Sequence, residues 1–300
     1  MAAVDSAALL AGLSRSSNAS PHAGYSPFMT ADRRPNQARP HEHLLLTRHL
    51  RGEPGVAASF AHVVFDRPEK RNALTPAMVR AFVGTIDELA GDDDVRAVCI
   101  TGEGNLFCAG FDLPLCQADP KALPALLGSL SEAVAAMRRC VKPVVIGAHG
   151  AALAGGCALL AGADLVVADR GCKLGYPVAN LGISPAVSAP SLLTRLGPGS
   201  GAARRRLLDP GLTTAEEAAP HNLIDVLVEL PEDVAPRAQL ESMRLAKHPP
   251  AAVAAVKRHV ASIDGSSDDE RRRVGLGASL SLTDDAEYHS RLGAFLAGRP

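Results

Sequence analysis

The sequence of 300 residues contains no tryptophan, and aromatic residues make up only 3% of it. Proteins that bind single-stranded nucleic acid usually stack the bases on aromatic side chains, so this class of function is not expected. The formal net charge is −1, which gives no electrostatic reason to expect binding to nucleic acid or to an anionic membrane surface. No apolar run approaches the ~20 residues that a transmembrane helix requires, so we expect no membrane span.

Metal and disulfide patterns are also missing. The six cysteines form no CxxC pair, and no Cys/His group has the spacing of a zinc site. Most of the cysteines lie among apolar or small residues, where a reduced cysteine behaves as a small hydrophobic side chain. We therefore predict free thiols, no bound metal and a reducing compartment, with the cytoplasm as the expected location.

The glycine signatures of common cofactor and hydrolase sites are incomplete. Gly102-Glu103-Gly104 is not followed by the third glycine that the dinucleotide-binding motif GxGxxG requires. The segment 182–186 is similar to the nucleophile elbow GxSxG but ends in alanine. The phosphate-binding sequence GxxxxGK[ST] does not occur. The sequence therefore gives no support for nicotinamide, ATP or serine-hydrolase chemistry.

The composition changes near residue 55. Residues 1–55 are rich in serine, proline, arginine and histidine, and such a segment cannot bury enough apolar surface to fold alone. We therefore predict a disordered N-terminal tail. The alternative is a transit segment, because residues 7–13 are apolar and basic residues outnumber acidic ones. A transit segment would place the protein in the mitochondrial matrix.

From residue 59 onward, strand patterns alternate with helix patterns. Thr75 is a good N-cap and Pro76 suits the first position of a helix. The order of the patterns predicts an α/β core over residues 56–235, followed by a C-terminal helical subdomain over residues 236–300. We expect strands at 60–66, 95–101, 143–148, 164–168 and 223–230, and further helices near 126–140, 155–162 and after 236, the last broken at 249–250 and 265.

Four segments, in matching order and spacing, resemble motifs of the crotonase (enoyl-CoA hydratase/isomerase) superfamily. Residues 67–74 are similar to the motif RPxxxNAL, and residues 101–113 to TGxGxxFxAGxDL. Residues 142–157 are similar to KPxIAAxxGxxxGGG, and residues 163–185 to ADLxIAxxxxxFGxPExxLGxxP. One such match alone is weak, but four in order are specific. The resemblance implies a crotonase-like spiral of ββα units with a C-terminal helical subdomain.

Two loops of small residues have the properties that the resemblance requires. Ala109-Gly110 and Gly155-Gly156 have no bulky side chains, so a ligand carbonyl can approach the main chain closely. The resemblance assigns an oxyanion hole to the N–H groups of Phe111 and Gly155, where each donor typically contributes ~3–4 kcal/mol to catalysis. A helix that begins at Gly155 would add its dipole to the stabilisation of negative charge.

The resemblance also implies an acyl-CoA substrate, with coenzyme A as part of the substrate and no separate cofactor. Lys70 and Arg71 can pair with phosphate oxygens, although both also suit an ordinary solvated turn. Family members are usually trimers or dimers of trimers, so the resemblance implies a homo-oligomer. The residues expected along coenzyme A are Lys70, Asn72, Ala73, Ala109, Phe111, Asp112, Leu113, Pro114 and Gly155.

The sequence departs from the hydratases of the family at both of their glutamates. The corresponding positions are Ala158 and Val178, and neither side chain can move a proton, so ordinary hydration is not expected. Tyr176 is the candidate replacement as a donor of a proton or hydrogen bond, although it also suits the core. Decarboxylation of a malonyl-type thioester forms an enolate without removing a proton from carbon, and an apolar pocket favours it. We therefore predict a lyase-type acyl-CoA enzyme, with a catalytically silent CoA-ester-binding or scaffold protein as the alternative.

Overall fold

A computed structural model of the protein describes residues 36–197, 201–265 and 269–298. Its strands are β1 (Asn36–His41), β2 (Leu44–His49), β3 (Phe60–Phe65), β4 (Val98–Gly102), β5 (Val144–Ala148), β6 (Ala151–Leu153), β7 (Leu165–Asp169), β8 (Lys173–Gly175), β9 (Thr213–Thr214) and β10 (Val226–Val228). Its α-helices are α1 (Pro76–Gly91), α2 (Leu113–Ala118), α3 (Ala122–Arg139), α4 (Gly155–Leu160), α5 (Ala189–Leu196), α6 (Gly201–Leu208), α7 (Ala215–Ala218), α8 (Val234–Ala246), α9 (Pro250–Ile263), α10 (Asp269–Leu280) and α11 (Ala286–Leu296). Short 3₁₀ turns lie at Pro68–Lys70, Pro177–Leu181, Pro185–Ser188, Ala219–His221 and Pro231–Asp233.

The main sheet has the strand order β1-β2-β3-β4-β5-β7-β10. The first three strands pair antiparallel, and the pairings from β3 to β10 are parallel. Parallel strands are covered on both faces, which explains why β5 is a continuous run of five buried residues rather than an alternating pattern. One face packs on α1 and α3, and the other packs on α8.

Helix α8 lies very close to the sheet at Gly147. A Cβ added there would lie 3.0 Å from the Cβ of Ala238 and 3.2 Å from a methyl of Val234. Both of these residues belong to α8 and are fully buried. The domain boundary that we predicted at residue 235 therefore falls inside α8, a helix that forms one layer of the core.

Helix α1 begins as its sequence predicts. The hydroxyl of Thr75 accepts a hydrogen bond of 3.2 Å from the N–H of Met78, and Pro76 occupies the first helical position. At the other end, Nζ of Lys142 donates to the carbonyl oxygens of Leu89 and Asp92. This contact ties the end of α1 to the segment just before β5.

The predicted N-terminal boundary needs a correction. Residues 1–35 lie outside the described residues, but residues 36–49 form β1 and β2 rather than part of a tail. Pairing along the whole of β3 holds β2 in the sheet, and Leu44 and Leu46, at most 1% exposed, pack in the core on the face that α1 covers. The prediction was wrong for residues 36–49 because composition alone does not show that a segment can pack its apolar side chains against the rest of a sheet.

The C-terminal helices agree with the prediction. Helices α8 and α9 are separated at Pro249, and α9 ends shortly before Gly265. Helix α11 then packs against α2 and against the 3₁₀ turn Pro177–Leu181. Within the described part of the chain, no helix is long and apolar enough to span a bilayer.

A second sheet joins β6, β8 and β9. Strand β6 leads directly into α4, and an isolated bridge joins Ala152 of β6 to Cys108. A similar bridge joins Leu74 to Phe111. These connections bring the two small-residue loops to the same region of the fold.

Candidate active site

A cleft of about 660 Å³ opens where these loops meet. One wall comes from the turn that contains Lys70 and Arg71, and another from residues 109 and 111–114. The remaining walls come from Leu153, Ala154, the 3₁₀ turn Pro177–Leu181 and the end of α11. Of the predicted coenzyme A residues, those that line the cleft are Lys70, Ala73, Ala109, Phe111, Asp112, Leu113 and Pro114. Asn72 and Gly155 are buried and do not line it, although Ala154, the residue before Gly155, does.

Asn72 has a different role from the predicted contact with coenzyme A. Its side chain is fully buried, and its Nδ2 donates to the carbonyl oxygens of Glu103 at 2.8 Å and Leu106 at 3.0 Å. Its Oδ1 accepts from the N–H of Arg67 at 2.9 Å. Both Nδ2 hydrogens and Oδ1 are therefore bonded within the protein, and these bonds join the turn to the segment after β4.

The first small-residue loop is fixed by Leu74. The carbonyl of Gly110 accepts from the N–H of Leu74 at 2.7 Å, and the N–H of Asp112 donates to the carbonyl of Leu74 at 3.0 Å. The N–H of Phe111 lies between these two bonds and has no hydrogen-bond partner among the described residues. Gly110 has φ 95°, a conformation that glycine adopts without strain.

Asp112 is held in place after this loop. It caps α2 by accepting from the N–H of Leu115 at 3.1 Å, and it forms a 2.7 Å ion pair with Arg67. Both charged side chains are no more than 13% exposed. A carboxylate with these partners is suited to holding the loop rather than to moving protons.

The second small-residue loop precedes α4. Ala154 has φ 48° and ψ −111°, an unusual conformation for a residue other than glycine. Gly155 begins α4, and the N–H groups of a first helical turn have no partner within the helix. The hydrogen bonds of the described residues leave the N–H of Gly155 free, as they do that of Phe111.

The two loops are in contact with each other. A Cβ added to Gly155 would lie 3.0 Å from Cε1 of Phe111 and 3.2 Å from Cδ1 of Leu74. A Cβ added to Gly110 would lie 3.0 Å from the Cβ of Ala154 and 3.6 Å from the nitrogen of Gly155. The glycines therefore allow a close approach that any side chain would prevent.

The cleft has a charged end and an apolar end. Its charged lining residues are Glu69, Lys70, Arg71 and Asp112, all in the turn or at the start of α2. Val178 lies on the apolar wall, as predicted. Sequence reasoning missed most of that wall, which no motif marks because it comes from distant segments. The missed residues are Leu153, Ala154, Pro177, Leu181, Ile183, Phe295 and Leu296.

Ala158 does not line this cleft, contrary to its predicted place beside Val178. It is 1% exposed and faces a separate cavity of about 40 Å³ with Leu130, Val187 and Ser188. The prediction assumed that both glutamate positions would face one pocket. In this chain Ala158, which belongs to α4, instead faces α3 and the 3₁₀ turn Pro185–Ser188.

Tyr176 is also outside the cleft lining, so the structure does not support its predicted catalytic role. Its side chain is 2% exposed, and its hydroxyl lies beside Cys157 and Ser188. Burial raises the pKa of the phenol well above its usual range, so the phenol keeps its proton. Tyr176 therefore belongs to the hydrophobic core.

The cysteines are all free and buried, as the sequence predicted. Burial raises the pKa of Cys116 and of Cys108 to about 12. The thiols are therefore protonated at neutral pH and are poor nucleophiles.

Comparison with known proteins identifies the family. The sequence profile of the enoyl-CoA hydratase/isomerase family matches residues 55–292. An enoyl-CoA hydratase of Mycobacterium tuberculosis is 31% identical over 236 residues, which cover 76% of this chain and 88% of that protein. A 1,2-epoxyphenylacetyl-CoA isomerase of Escherichia coli is 28% identical, over 79% of this chain and 92% of that protein.

Solved structures show the same fold. An enoyl-CoA hydratase from Mycobacterium smegmatis matches with a TM-score of 0.67 and 27% identity, over 86% of this chain and 98% of that one. An enoyl-CoA hydratase/isomerase from Pseudoalteromonas atlantica matches with a TM-score of 0.72 and 23% identity, over 85% and 98% of the two chains. With the four motifs and the paired loops, these matches show that the chain belongs to the enoyl-CoA hydratase/isomerase family, the crotonase superfamily.

Proposed function

We propose that this protein processes acyl-CoA by holding the thioester carbonyl between the N–H groups of Phe111 and Gly155. The observation that supports this most directly is the contact of two glycine-containing loops, each with a main-chain N–H that has no partner among the described residues. Two such donors on one oxygen stabilise the negative charge of a thioester enolate. Helix α4 is short, but Gly155 is its first residue, so the positive end of the helix dipole would face the same thioester oxygen.

The proposed reaction is decarboxylation of a malonyl-type thioester rather than hydration. The bond between the α-carbon and the carboxylate breaks, its electron pair forms the enolate, and carbon dioxide leaves. A proton from water in the open cleft then reaches the α-carbon. These reaction steps need no protein base to remove a proton from carbon. They are therefore compatible with a wall formed by the apolar side chains of Val178, Leu181 and Ile183.

The apolar wall also favours loss of the carboxylate. A charged carboxylate is poorly solvated beside Val178 and Leu181, whereas the charge of the enolate is spread onto an oxygen that receives two hydrogen bonds. Hydration, in contrast, requires a carboxylate to position water. Among the described lining residues, the acidic ones are Glu69 at the charged end and Asp112 in its ion pair with Arg67.

The charged end of the cleft suits the nucleotide part of coenzyme A. Lys70 and Arg71 are exposed, and both line the cleft. Their positive charges can pair with phosphate oxygens while the acyl group extends towards Val178. Leu113 and Pro114 provide an apolar surface at the same end for the adenine.

Binding and turnover assays test this proposal. Titration calorimetry with acyl-CoAs measures binding, and turnover is compared on crotonyl-CoA and methylmalonyl-CoA. We expect carbon dioxide release from methylmalonyl-CoA and negligible hydration of crotonyl-CoA. Hydration of crotonyl-CoA as the faster reaction would contradict the proposal.

Two variants at one position sharpen the assay. Val178→Glu places a negative charge beside the substrate carboxylate, and Val178→Gln adds nearly the same volume without charge. We expect the glutamate variant to decarboxylate at least ~10-fold more slowly than the glutamine variant, which corresponds to ~1.4 kcal/mol. Equal rates would mean that the reacting carboxylate does not lie at this wall.

A catalytically silent CoA-ester-binding protein is the second candidate. It is favoured by the lack of an unpaired carboxylate or imidazole among the described residues of the apolar end. The same experiment separates the two candidates, because binding of acyl-CoA without turnover of either substrate supports the silent protein.

We also propose that the chain forms a homo-oligomer through α9. Val256, Val260 and Ile263 follow one another at helical spacing, with exposures of 62%, 44% and 71%. No described residue of α9 is buried, although an apolar helical face normally packs against a partner. Light scattering should give a trimer or hexamer, and Val260→Glu should shift the mass towards a monomer. A monomeric mass for the unmodified protein would exclude this assembly.

A further inference from the structure

Cys108 lies where three of the site-forming segments meet. Its side chain is fully buried, and its Sγ lies 3.3 Å from the carbonyl oxygen of Asn72. The same sulfur accepts the N–H of Gly110 at 3.4 Å. One side chain therefore joins the turn that precedes α1 to the loop that presents the N–H of Phe111.

The main chain of Cys108 reaches the other loop. Its N–H donates to the carbonyl of Ala151 at 3.2 Å, and its carbonyl accepts from the N–H of Leu153 at 2.9 Å. Both partners belong to β6, which leads into Ala154 and Gly155. The loop of Phe111 and the loop of Gly155 are therefore both attached to this one residue.

The side chain of Cys108 also packs directly on the first turn of α4. A Cβ added to Gly156 would lie 2.8 Å from the Cβ and 3.1 Å from the Sγ of Cys108. The sulfur thus contacts the helix that starts at Gly155 while it holds Gly110 by a hydrogen bond. The side chain of Cys108 therefore lies between Gly110 and the first turn of α4.

We propose that Cys108 is a positioning residue that sets the relative position of the two oxyanion donors. The inference rests on the proposed oxyanion hole of Phe111 and Gly155 and adds the side chain that holds its geometry. Cys108 does not touch the substrate. It acts through Gly110 on one side and through β6 and Gly156 on the other.

The protonated thiol is suited to this role in two ways. It donates its hydrogen to the carbonyl of Asn72 and accepts the N–H of Gly110, which a thiolate could not do at once. Burial raises the pKa of the thiol to about 12, so both bonds persist at neutral pH. Serine can make the same pair of bonds, whereas alanine can make neither.

The test compares two ligands that differ only at the carbonyl. An acyl-CoA thioester has the oxygen that the two N–H groups would bind, and the matching CoA thioether has a methylene group instead. The ratio of their affinities measures the oxyanion hole alone, and the infrared carbonyl stretch of the bound thioester measures its polarisation. Neither reading depends on how stably the protein is folded.

For Cys108→Ala we expect the affinity ratio to fall by ~10-fold, on the scale of the net free energy of one to two hydrogen bonds. The carbonyl stretch should move back towards its frequency in water. Cys108→Ser should keep both readings close to those of the unmodified protein. Cys99→Ala is the matched control, because Cys99 is equally buried but packs on the face of the sheet that α8 covers. It should leave the ratio unchanged.

A second measurement needs no alanine variant, in case that variant does not fold. The S–H stretch of Cys108, identified by its loss in Cys108→Ser, should shift when the thioester binds and should not shift with the thioether. An unchanged ratio in Cys108→Ala, or an equal S–H response to both ligands, overturns the positioning role. If the unmodified protein binds the thioester and the thioether equally well, the result contradicts the proposed oxyanion hole itself. That outcome is distinct from one that contradicts only the role of Cys108.

Discussion

The two loops of the proposed oxyanion hole reach the same place by different means. The loop of Phe111 has glycine at its one residue of positive φ, and hydrogen bonds to Leu74 and Cys108 hold it. The loop of Gly155 instead has Ala154 in the unusual conformation, followed directly by a helix. One loop is therefore held by contacts without strain, and the other accepts strain, which costs of order 1–3 kcal/mol, to start a helix at the site.

The largest expected effect is the loss of a donor in the second loop. Gly155→Pro removes one N–H, and removal of one oxyanion donor typically costs ~10²–10³ in kcat. Because proline also adds a ring where an extra Cβ would lie 3.0 Å from Cε1 of Phe111, Gly155→Ala is the control: it adds the same Cβ but keeps the N–H, and it should retain more turnover than Gly155→Pro. Measurement of kcat on the best substrate tests the assignment. Unchanged turnover would mean that the N–H of Gly155 is not one of the two oxyanion donors.

The next largest expected effect is on stability, from loss of the buried side chain of Asn72 in the turn before the first loop. Asn72→Ala deletes three hydrogen bonds in a fully buried position and leaves their partners unpaired, so we expect a loss of ~2–4 kcal/mol in the free energy of unfolding. Urea denaturation measures this loss. Asn105→Ala is the control, because the side chain of Asn105 is exposed nearby. Equal stability of the two variants would mean that the three side-chain hydrogen bonds of Asn72, to Arg67, Glu103 and Leu106, do not stabilise the fold.

Adding strain to the first loop tests the contrast directly. Gly110→Ala forces a side chain into φ 95°, with its Cβ about 3.0 Å from Leu153 O and the Cβ of Ala154. We expect a loss of ~1–3 kcal/mol in the free energy of unfolding. Gly128→Ala, where an added Cβ meets nothing within 4 Å, should not destabilise α3. A tolerated Gly110→Ala would show that both loops accept strain equally.

The smallest effect is the reverse change in the second loop. Ala154→Gly removes the strain at φ 48°, while glycine gives the unfolded chain more conformational freedom. We expect a net gain of ~1 kcal/mol in the free energy of unfolding, measured in urea, with turnover little changed. A loss of stability would mean that the methyl group of Ala154 contributes more by packing than its backbone conformation costs.

The part of the site that the sequence predicted lies in contiguous motifs. The family resemblance assigned the proposed donors, Phe111 and Gly155, to two motifs of small residues, and it placed Lys70 and Val178 in the other two motifs. These patterns are local because a turn or helix start is specified by a few neighbouring residues. The order of strands and helices was predictable for a similar reason, since each element has its own periodicity.

The rest depends on which distant segments pack together. The apolar wall includes Phe295 and Leu296, which reach the cleft only because α11 packs on the turn after β8. Ala158 and Tyr176 are buried away from the cleft by their packing in the core, which their distance from a motif does not reveal. The pairing of β2 with β3, which buries Leu44, likewise involves a partner strand that composition does not reveal.

The edge strand β1 has a consequence for how copies of this chain can meet. Its register with β2 is interrupted between Ala38 and His41, and Pro40 lies within that interruption. Proline offers no N–H to an incoming strand, and an irregular edge breaks a continuous ladder. Among the described strands, β1 is therefore a poor template for side-by-side growth of the sheet, and the irregularity protects this edge against aggregation at high concentration.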